Sequence, residues 1–239
     1  MMREFDMTDM GSMSYFLGIE VIQKPGGNFI FQRRYVLKRF GMMGSNMVTR
    51  PIVPGSKIGR DKYGVTVDET DYKQLVGSLM YLTSTRPDLM FVTTLLSIYM
   101  AKPNELHLQA AKRVLRYLKG TVDYDIYYKN EGGDKLMAFT DSGYAGDMED
   151  SKSTSGYVFL LSSGAISWSS KKQPIVTLST TEAKFVAATM CVCQAIWLKR
   201  IVKELGHEEE DCTYIKYDNT STIKLSKNQC YMDAASTYV

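Results

Sequence analysis

Three acidic residues in the second half of the chain occupy positions from which carboxylates commonly do chemistry. Asp141 closes an apolar segment that predicts a strand, and Asp218 closes another. Glu182 lies in the first turn of a predicted long helix. If the two strands are parallel neighbours, both aspartates leave the sheet at the same edge, where open α/β sheets build ligand sites. A helix packed on that sheet would bring Glu182 to the same edge.

Three converging carboxylates repel one another unless a cation neutralises them. Oxygen ligands of this kind suit Mg²⁺ or Mn²⁺, and two such ions about 4 Å apart can activate a water and stabilise the leaving oxygen of a phosphodiester. Each acid alone also has a structural alternative: Asp141 as a turn residue, Glu182 at the positive end of the helix dipole, and Asp218 as a helix N-cap. The hypothesis that they are catalytic metal ligands therefore depends on all three.

The segments around these acids predict a mixed sheet with helices packed on it, an α/β (α+β) fold. Residues 162–164 predict a tight hairpin, and Ser179 or Thr180 caps the long helix, which Gly206 ends. The predicted strands are 136–141, 156–161, 165–168 and 213–217, and the predicted helices are 180–205 and 219–227.

The first half is predicted to be mostly helical. Prolines and glycines make residues 50–68 a loop, and a break in the pattern near Gly132 and Gly133 places a linker at 121–134. The predicted strands are 15–23, 29–31 and 124–128, and the predicted helices are 35–40, 71–83, 87–100 and 104–119.

Basic side chains suggest two contacts with nucleic acid. Lys112, Arg113, Arg116 and Lys119 form a stripe on the predicted helix 104–119, and such side chains bind phosphates in a salt-dependent way. A solvated helix face is the alternative. The pair Lys171 and Lys172 is a second, weaker candidate of the same kind.

Composition narrows the class of protein. The 239 residues carry a net charge of +3, too small to mark a nucleic-acid binder by itself. The N-terminus has no apolar segment of a secretory signal, and the most apolar stretch, Leu89–Ala101, is too short to span a bilayer. The four cysteines fit reduced, buried thiols. We therefore expect a cytoplasmic or nuclear protein without a membrane partner, and structural positions for His107 and His207.

Several long segments resemble, in order and spacing, the C-terminal part of a Ty1/copia-type LTR retrotransposon Pol polyprotein. The first half contributes FDMTDMGSMSYFLGIEV, DYKQLVGSLMYLTSTRPDLMF and HLQAAKRVLRYLKGT. The second half contributes AFTDSGYAGD, SKSTSGYVFLLSSGAISWSSKKQPIVTLSTTEAKFVAA and IKYDNTSTIKLSKN. The resemblance covers nearly the whole chain.

This resemblance implies that residues 1–120 are the C-terminal part of a reverse transcriptase, with thumb and connection but without the catalytic palm motif. Residues 135–239 would be a ribonuclease H-like domain that cuts the RNA strand of an RNA–DNA hybrid with Mg²⁺ or Mn²⁺. On the matching motifs, Asp141, Glu182 and Asp218 take the places of the metal-binding acids. The implied partners are the hybrid and the rest of a Pol polyprotein, and no polymerase activity is expected.

The chain also departs from the family pattern. Gly143 and Tyr144 stand where the family usually has Asp and Trp, and the position of a fourth acid falls on Val239. The domain is therefore expected to be C-terminally incomplete, with hydrolysis weak or lost.

A non-catalytic protein is the alternative, either a nucleic-acid-binding module or an effector-like interaction protein. Residues 113–116 match the RxLR host-entry motif of oomycete effectors. In such effectors the motif follows a secretion signal in a flexible N-terminal segment, whereas here it lies inside a predicted amphipathic helix.

Overall fold

The computed structural model describes residues 11–32, 40–56, 58–60, 64–130, 135–206, 213–219 and 223–224. These residues form a mixed α/β structure with two four-stranded sheets and four α-helices. The predicted helix 35–40 lies almost entirely outside this part of the chain, and only residues 223–224 of the predicted helix 219–227 are described, as helical. His207, Cys212 and Cys230 also lie outside it.

The first sheet is antiparallel throughout, in the order β1 (Tyr15–Phe16), β2 (Ile19–Lys24), β3 (Gly27–Phe31) and β4 (Ile126–Lys129). The prediction of one strand over 15–23 is wrong, because Leu17 and Gly18 both have positive φ, 47° and 82°. They form a two-residue turn of the kind that joins tight hairpins, and the segment folds back on itself. Residues 126–129 of the predicted linker complete this sheet by pairing with β3.

Three helices of the first half are confirmed: α1 (Glu69–Leu82), α2 (Met90–Ser97) and α3 (Glu105–Gly120). A 3₁₀ turn, Pro87–Leu89, replaces the first turn of the predicted helix 87–100. The Asn104 side chain accepts from the His107 backbone, and the His107 ring accepts from the Asn104 backbone. His107 is fully buried and stacks on Tyr99 at 4.1 Å, which is the structural position expected of it. The three helices share one apolar core, which includes Tyr72, Leu79, Leu96 and Leu115.

The second sheet has the order β7–β6–β5–β8 and contains β5 (Leu136–Gly143), β6 (Thr154–Leu161), β7 (Gly164–Lys172) and β8 (Tyr214–Lys216). The predicted hairpin is confirmed, since Leu161 pairs with Gly164. The predicted parallel pairing of β5 with β8 is confirmed as well. The sheet is therefore mixed.

Helix α4 (Thr180–Glu204) packs across one face of this sheet. Its buried Cys191, Ala195 and Leu198 meet Ala138 and Phe159 of the strands. Among the described helices it is the one long and apolar enough, by length and composition, to cross a bilayer, and 33% of its most apolar window is buried in the protein. The thiols of this helix differ: Cys191 is buried, as expected, whereas Cys193 is exposed.

The helical part and the second sheet are joined by hydrogen bonds. The Trp168 indole donates to the Thr83 carbonyl at 2.7 Å, and the Thr94 hydroxyl donates to the Ser170 carbonyl at 3.0 Å. The Tyr128 hydroxyl, on β4, donates to the Ala165 carbonyl. These contacts hold β7 against both the helices and the first sheet.

Gly164 offers a test of this junction. A methyl group at this position would overlap the Tyr128 ring, so Gly164→Ala should lower the free energy of unfolding by about 1–3 kcal/mol. Gly77→Ala is the matched control: Gly77 is exposed within α1 and has open space around it, so alanine there should stabilise the protein by about 0.5–1 kcal/mol. Urea unfolding measures both. Equal stability of the two variants would contradict the close packing of Tyr128 on Gly164.

Candidate functional site

The parallel pairing of β5 and β8 brings two of the predicted acids together. Phe139 pairs with Lys216, and each is followed two residues later by an aspartate, Asp141 or Asp218. Both carboxylates therefore reach the same edge of the sheet, as the sequence predicts. Both side chains are open to solvent, with exposures of 69% and 74%.

A lysine lies between these two carboxylates. The Lys184 ammonium is 3.2 Å from Asp141 Oδ1 and makes a closer ion pair with Asp218 Oδ1. The hydrogen bond to Asp218 is the main cause that raises the pKa of Lys184, and the same bond lowers the pKa of Asp218. Asp141 Oδ1 also accepts from the Ser142 backbone N–H at 2.7 Å. The single ammonium of Lys184 therefore offsets part of the negative charge at this edge.

Glu182 does not join the two aspartates. Its Oε2 accepts from the Leu178 backbone N–H at 2.7 Å, while Ser179 Oγ accepts from the Glu182 N–H at 3.1 Å. Together these bonds satisfy free donors at the start of α4. The position matches the structural alternative for this residue, at the positive end of its own helix.

The described residues contain no group of three or more His, Cys, Asp or Glu side chains that could hold a metal ion. Asp141 and Asp218 share an ammonium, and Glu182 bonds to its own helix start. A Mg²⁺ ion demands near-octahedral oxygen ligands at about 2.0–2.1 Å. The three predicted ligands, as they are arranged here, do not fit such an ion.

A cleft of about 750 Å³ opens beside the two aspartates, on the face of the sheet that also meets the helical part. Several aromatic side chains contribute to its lining, and Phe91 and Phe139 are 48% and 39% exposed. The Lys216 ammonium lies 5.5 Å from the centre of the Phe139 ring. The main lining side chains are Met90, Phe91, Phe139, Asp141, Tyr157, Trp168, Lys216 and Asp218. Flat rings beside ionisable groups can receive a planar or sugar-bearing polyanion.

Two basic side chains of the α3 stripe bond to the preceding loop. Arg116 donates to the Asn46 carbonyl at 2.8 Å and Lys119 to the Ser45 carbonyl at 2.7 Å. Lys112, Arg113 and Arg116 line a second, largely apolar cavity of about 530 Å³. Phosphate binding by these four residues stays a prediction.

Lys171 and Lys172 also differ. Lys171 is exposed and directly follows the cleft-lining residues 168–170. Lys172 pairs with Asp147 at 2.6 Å and with Asp150 at 2.8 Å. Burial of Asp147 tends to raise its pKa, but the bond from Lys172 and two backbone N–H groups outweigh it and lower the pKa below 3.8. Lys171 is the exposed member of the pair, but it pairs with Ser155 and therefore lies on the face of β7 opposite to Trp168 and Ser170.

Sequence reasoning missed Lys184, and the sequence did carry a signal for it. Residues two apart on a helix point about 200° apart around its axis. Glu182 and Lys184 therefore cannot both face the sheet edge. The spacing alone indicates that only one of the two can reach the aspartates. The Gln173 side chain, 1% exposed, donates to the Ala183 carbonyl at 2.9 Å and helps to fix the rotation of the helix that decides between them.

Comparison with known proteins gives a consistent group of relatives. The chain is 38% identical over 232 residues to the retrovirus-related Pol polyprotein from transposon RE1 of Arabidopsis thaliana, a match that covers 96% of this chain and 16% of that protein. It is 38% identical over 243 residues to the one from transposon TNT 1-94 of Nicotiana tabacum, covering 96% and 18%. The chain thus spans less than a fifth of their length. No family model and no solved structure matches it.

A further relative is named as an effector. The chain is 44% identical over 128 residues to the secreted RxLR effector protein 161 of Plasmopara viticola, covering 53% of this chain and 90% of that protein. In this chain Val114 and Leu115 of the four-residue motif are buried in the apolar core that the three helices share, and the Arg116 side chain donates to the Asn46 carbonyl. The motif here is part of a packed helix.

The Asp147 carboxylate gives a pH-dependent prediction. Its folded pKa lies below 3.8, so its stabilising effect is complete above that pH and is lost as the pH falls through the lowered value. Asp147→Asn should cost about 1–2 kcal/mol at pH 7, because the charged bond to Lys172 is lost. The gap from the wild type should narrow below pH 3.8. Thermal unfolding across pH measures it.

Asp150→Asn is the control, because Asp150 also pairs with Lys172 but is 38% exposed against 6% for Asp147. It should cost clearly less. A gap between the wild type and Asp147→Asn that stays constant down to pH 2 would contradict the assigned pairing.

Proposed function

We propose that this chain is a nucleic-acid-binding part of a Pol polyprotein of a copia-type retrotransposon, because it is 37–38% identical, over 96% of its length, to three retrovirus-related Pol polyproteins from transposons. Residues 135–239 serve as a ribonuclease H-like module that binds RNA–DNA hybrids, with hydrolysis of the RNA strand weak or lost. Residues 1–120 serve as the C-terminal part of a reverse transcriptase and supply one wall of the cleft. The rest of a Pol polyprotein is a further partner.

The observation that carries this proposal is the parallel pairing of β5 with β8 beside the cleft. The carboxyl ends of parallel strands are where open α/β sheets bind their ligands. Here those ends carry Asp141 and Asp218, and the cleft next to them offers exposed rings at Phe91 and Phe139. The exposed rings, with the Lys216 ammonium 5.5 Å from the centre of the Phe139 ring, support a ligand that carries sugars and bases.

The cation in the cleft sets the orientation of that ligand. Lys216 lines the cleft and lies two residues before Asp218, in register with Phe139, so it lies close to the acidic pair on the same face of the sheet. A phosphate of a bound strand would contact Lys216, and the sugars and base edges would pass over the rings. An A-form-like duplex presents such sugar and base edges in its wide, shallow minor groove.

Weak or lost hydrolysis is supported by the arrangement of the acids. Glu182 bonds to the Leu178 backbone instead of facing the two aspartates, and the Lys184 ammonium stands between them. Two-metal hydrolysis needs a constellation of carboxylates around both ions. No observation on the described residues favours an effector function, because the RxLR segment is packed within α3.

Hybrid binding is tested by fluorescence anisotropy with a labelled RNA–DNA hybrid, in EDTA. We expect binding that weakens as salt rises, and Lys216→Ala, which removes the lysine that lines the cleft, should reduce the slope of log affinity against log salt by about 1, as expected for one lost phosphate contact. Lys102→Ala is the matched control, an exposed lysine outside the cleft lining. Absence of hybrid binding, or equal slopes for the two variants, would contradict the proposal.

Hydrolysis is tested separately with the same hybrid in Mg²⁺ or Mn²⁺. The wild type and Asp141→Asn should cleave the RNA strand equally slowly, at the background rate. Cleavage by the wild type that Asp141→Asn abolishes would show that the metal-dependent reaction survives and would overturn that half of the proposal.

A further inference from the structure

Lys184 connects α4 to the ends of two strands of the second sheet. It projects from the first turns of α4, while Asp141 ends β5 and Asp218 follows β8. Its ammonium contacts Oδ1 of both carboxylates. The lysine side chain is 19% exposed, whereas the carboxylates it joins are 69% and 74% exposed. The cation thus sits on the inner side of the acidic pair.

The parallel register favours a cation at this position. Because Phe139 pairs with Lys216, the two aspartates lie at the same edge of the sheet and at the same height. Two carboxylates that share one ammonium repel each other, and the opposite charge between them offsets the repulsion. The ammonium supplies that charge without any ion from solution.

The rotation of α4 decides which side chain reaches the edge. Ser179 accepts from the Glu182 N–H, and Gln173 donates to the Ala183 carbonyl, so the first turn is held from two sides. Lys184 then faces the aspartates and Glu182 faces away, about 200° apart on the helix. One rotation of α4 therefore places Lys184 at the aspartates and turns Glu182 away from them.

We propose that Lys184 is the resident cation of the Asp141–Asp218 edge and takes the place that a divalent metal would otherwise occupy. The ammonium closes the edge to Mg²⁺ and Mn²⁺ and ties α4 to the ends of β5 and β8. Removal of its charge converts the edge into a metal-binding site. This edge also lines the cleft of the proposed function, on which the proposal rests. Metal binding and hybrid binding are measured separately, and either can fail without the other.

The first test is a calorimetric titration with MnCl₂ alone. The wild type should show no saturable binding at this edge, and Lys184→Gln should bind Mn²⁺ at least ten times more tightly. The double variant Lys184→Gln with Asp141→Asn should lose that gain. The matched control is Lys203→Gln, which removes the same charge from the last turn of the same helix, about 28 Å away, and should behave as the wild type.

The second test is thermal unfolding with and without MnCl₂, which also reports whether each variant is folded. Without metal, Lys184→Gln should melt below the wild type, because two neighbouring carboxylates lose their counterion. Mn²⁺ should raise the melting temperature of Lys184→Gln and leave that of the wild type and of Lys203→Gln unchanged, since a ligand stabilises only the state that binds it. Lys184→Glu, with a third carboxylate, should show a larger rise.

Two results would overturn the proposal. One is Mn²⁺ binding by the wild type that is as tight as binding by Lys184→Gln and is lost in Asp141→Asn. The other is a folded Lys184→Gln and a folded Lys184→Glu that gain no affinity for Mn²⁺. Fluorescence anisotropy with the RNA–DNA hybrid in EDTA, measured on the same variants, shows separately whether each of them binds the hybrid.

Discussion

The parallel register of β5 and β8 is the constraint on which the rest of the second sheet depends. It fixes Ala138 against Ile215 and Phe139 against Lys216, and so it places two like charges at one edge. The two carboxylates repel each other unless an opposite charge lies between them. Lys184 of α4 supplies that charge. The capping bond at the start of α4 helps to hold the helix in the rotation that places Lys184 at this edge. Backbone pairing, helix rotation and charge balance are thus one linked arrangement.

The sequence contained most of the architecture because the strongest signals are local. Periodic apolar residues predicted α1, α3 and α4 to within about two residues of their ends, and Ser179 was among the predicted caps. The structure adds Asp68 and Asn104, which also accept a backbone N–H at a helix start. The hairpin at Ser162 and Ser163 and the parallel pairing of β5 with β8 could also be predicted. Both follow from turn chemistry and from the order of elements.

The misses have physical reasons. Leu17 adopts a positive φ that its side chain gives no reason to expect, so a strand that looked continuous folds back. The strand predicted over 124–128 is present as β4, but its partner β3 lies about a hundred residues earlier, and no local pattern encodes such a distant pairing. At the candidate site, Asp141 and Asp218 converge as predicted, but the rotation of α4 depends on tertiary contacts such as that of Gln173. The choice between Glu182 and Lys184 was therefore invisible to residue type alone.

The cleft is walled by both halves of the chain. Pro87, Met90 and Phe91 come from the helical half and the opposite wall from the second sheet, with Trp168 bonded across to Thr83. The shape of the cleft therefore depends on how the two halves are held together, through bonds such as that of Trp168 to Thr83. A change in the helical half would alter the cleft and leave both aspartates of the sheet edge in place.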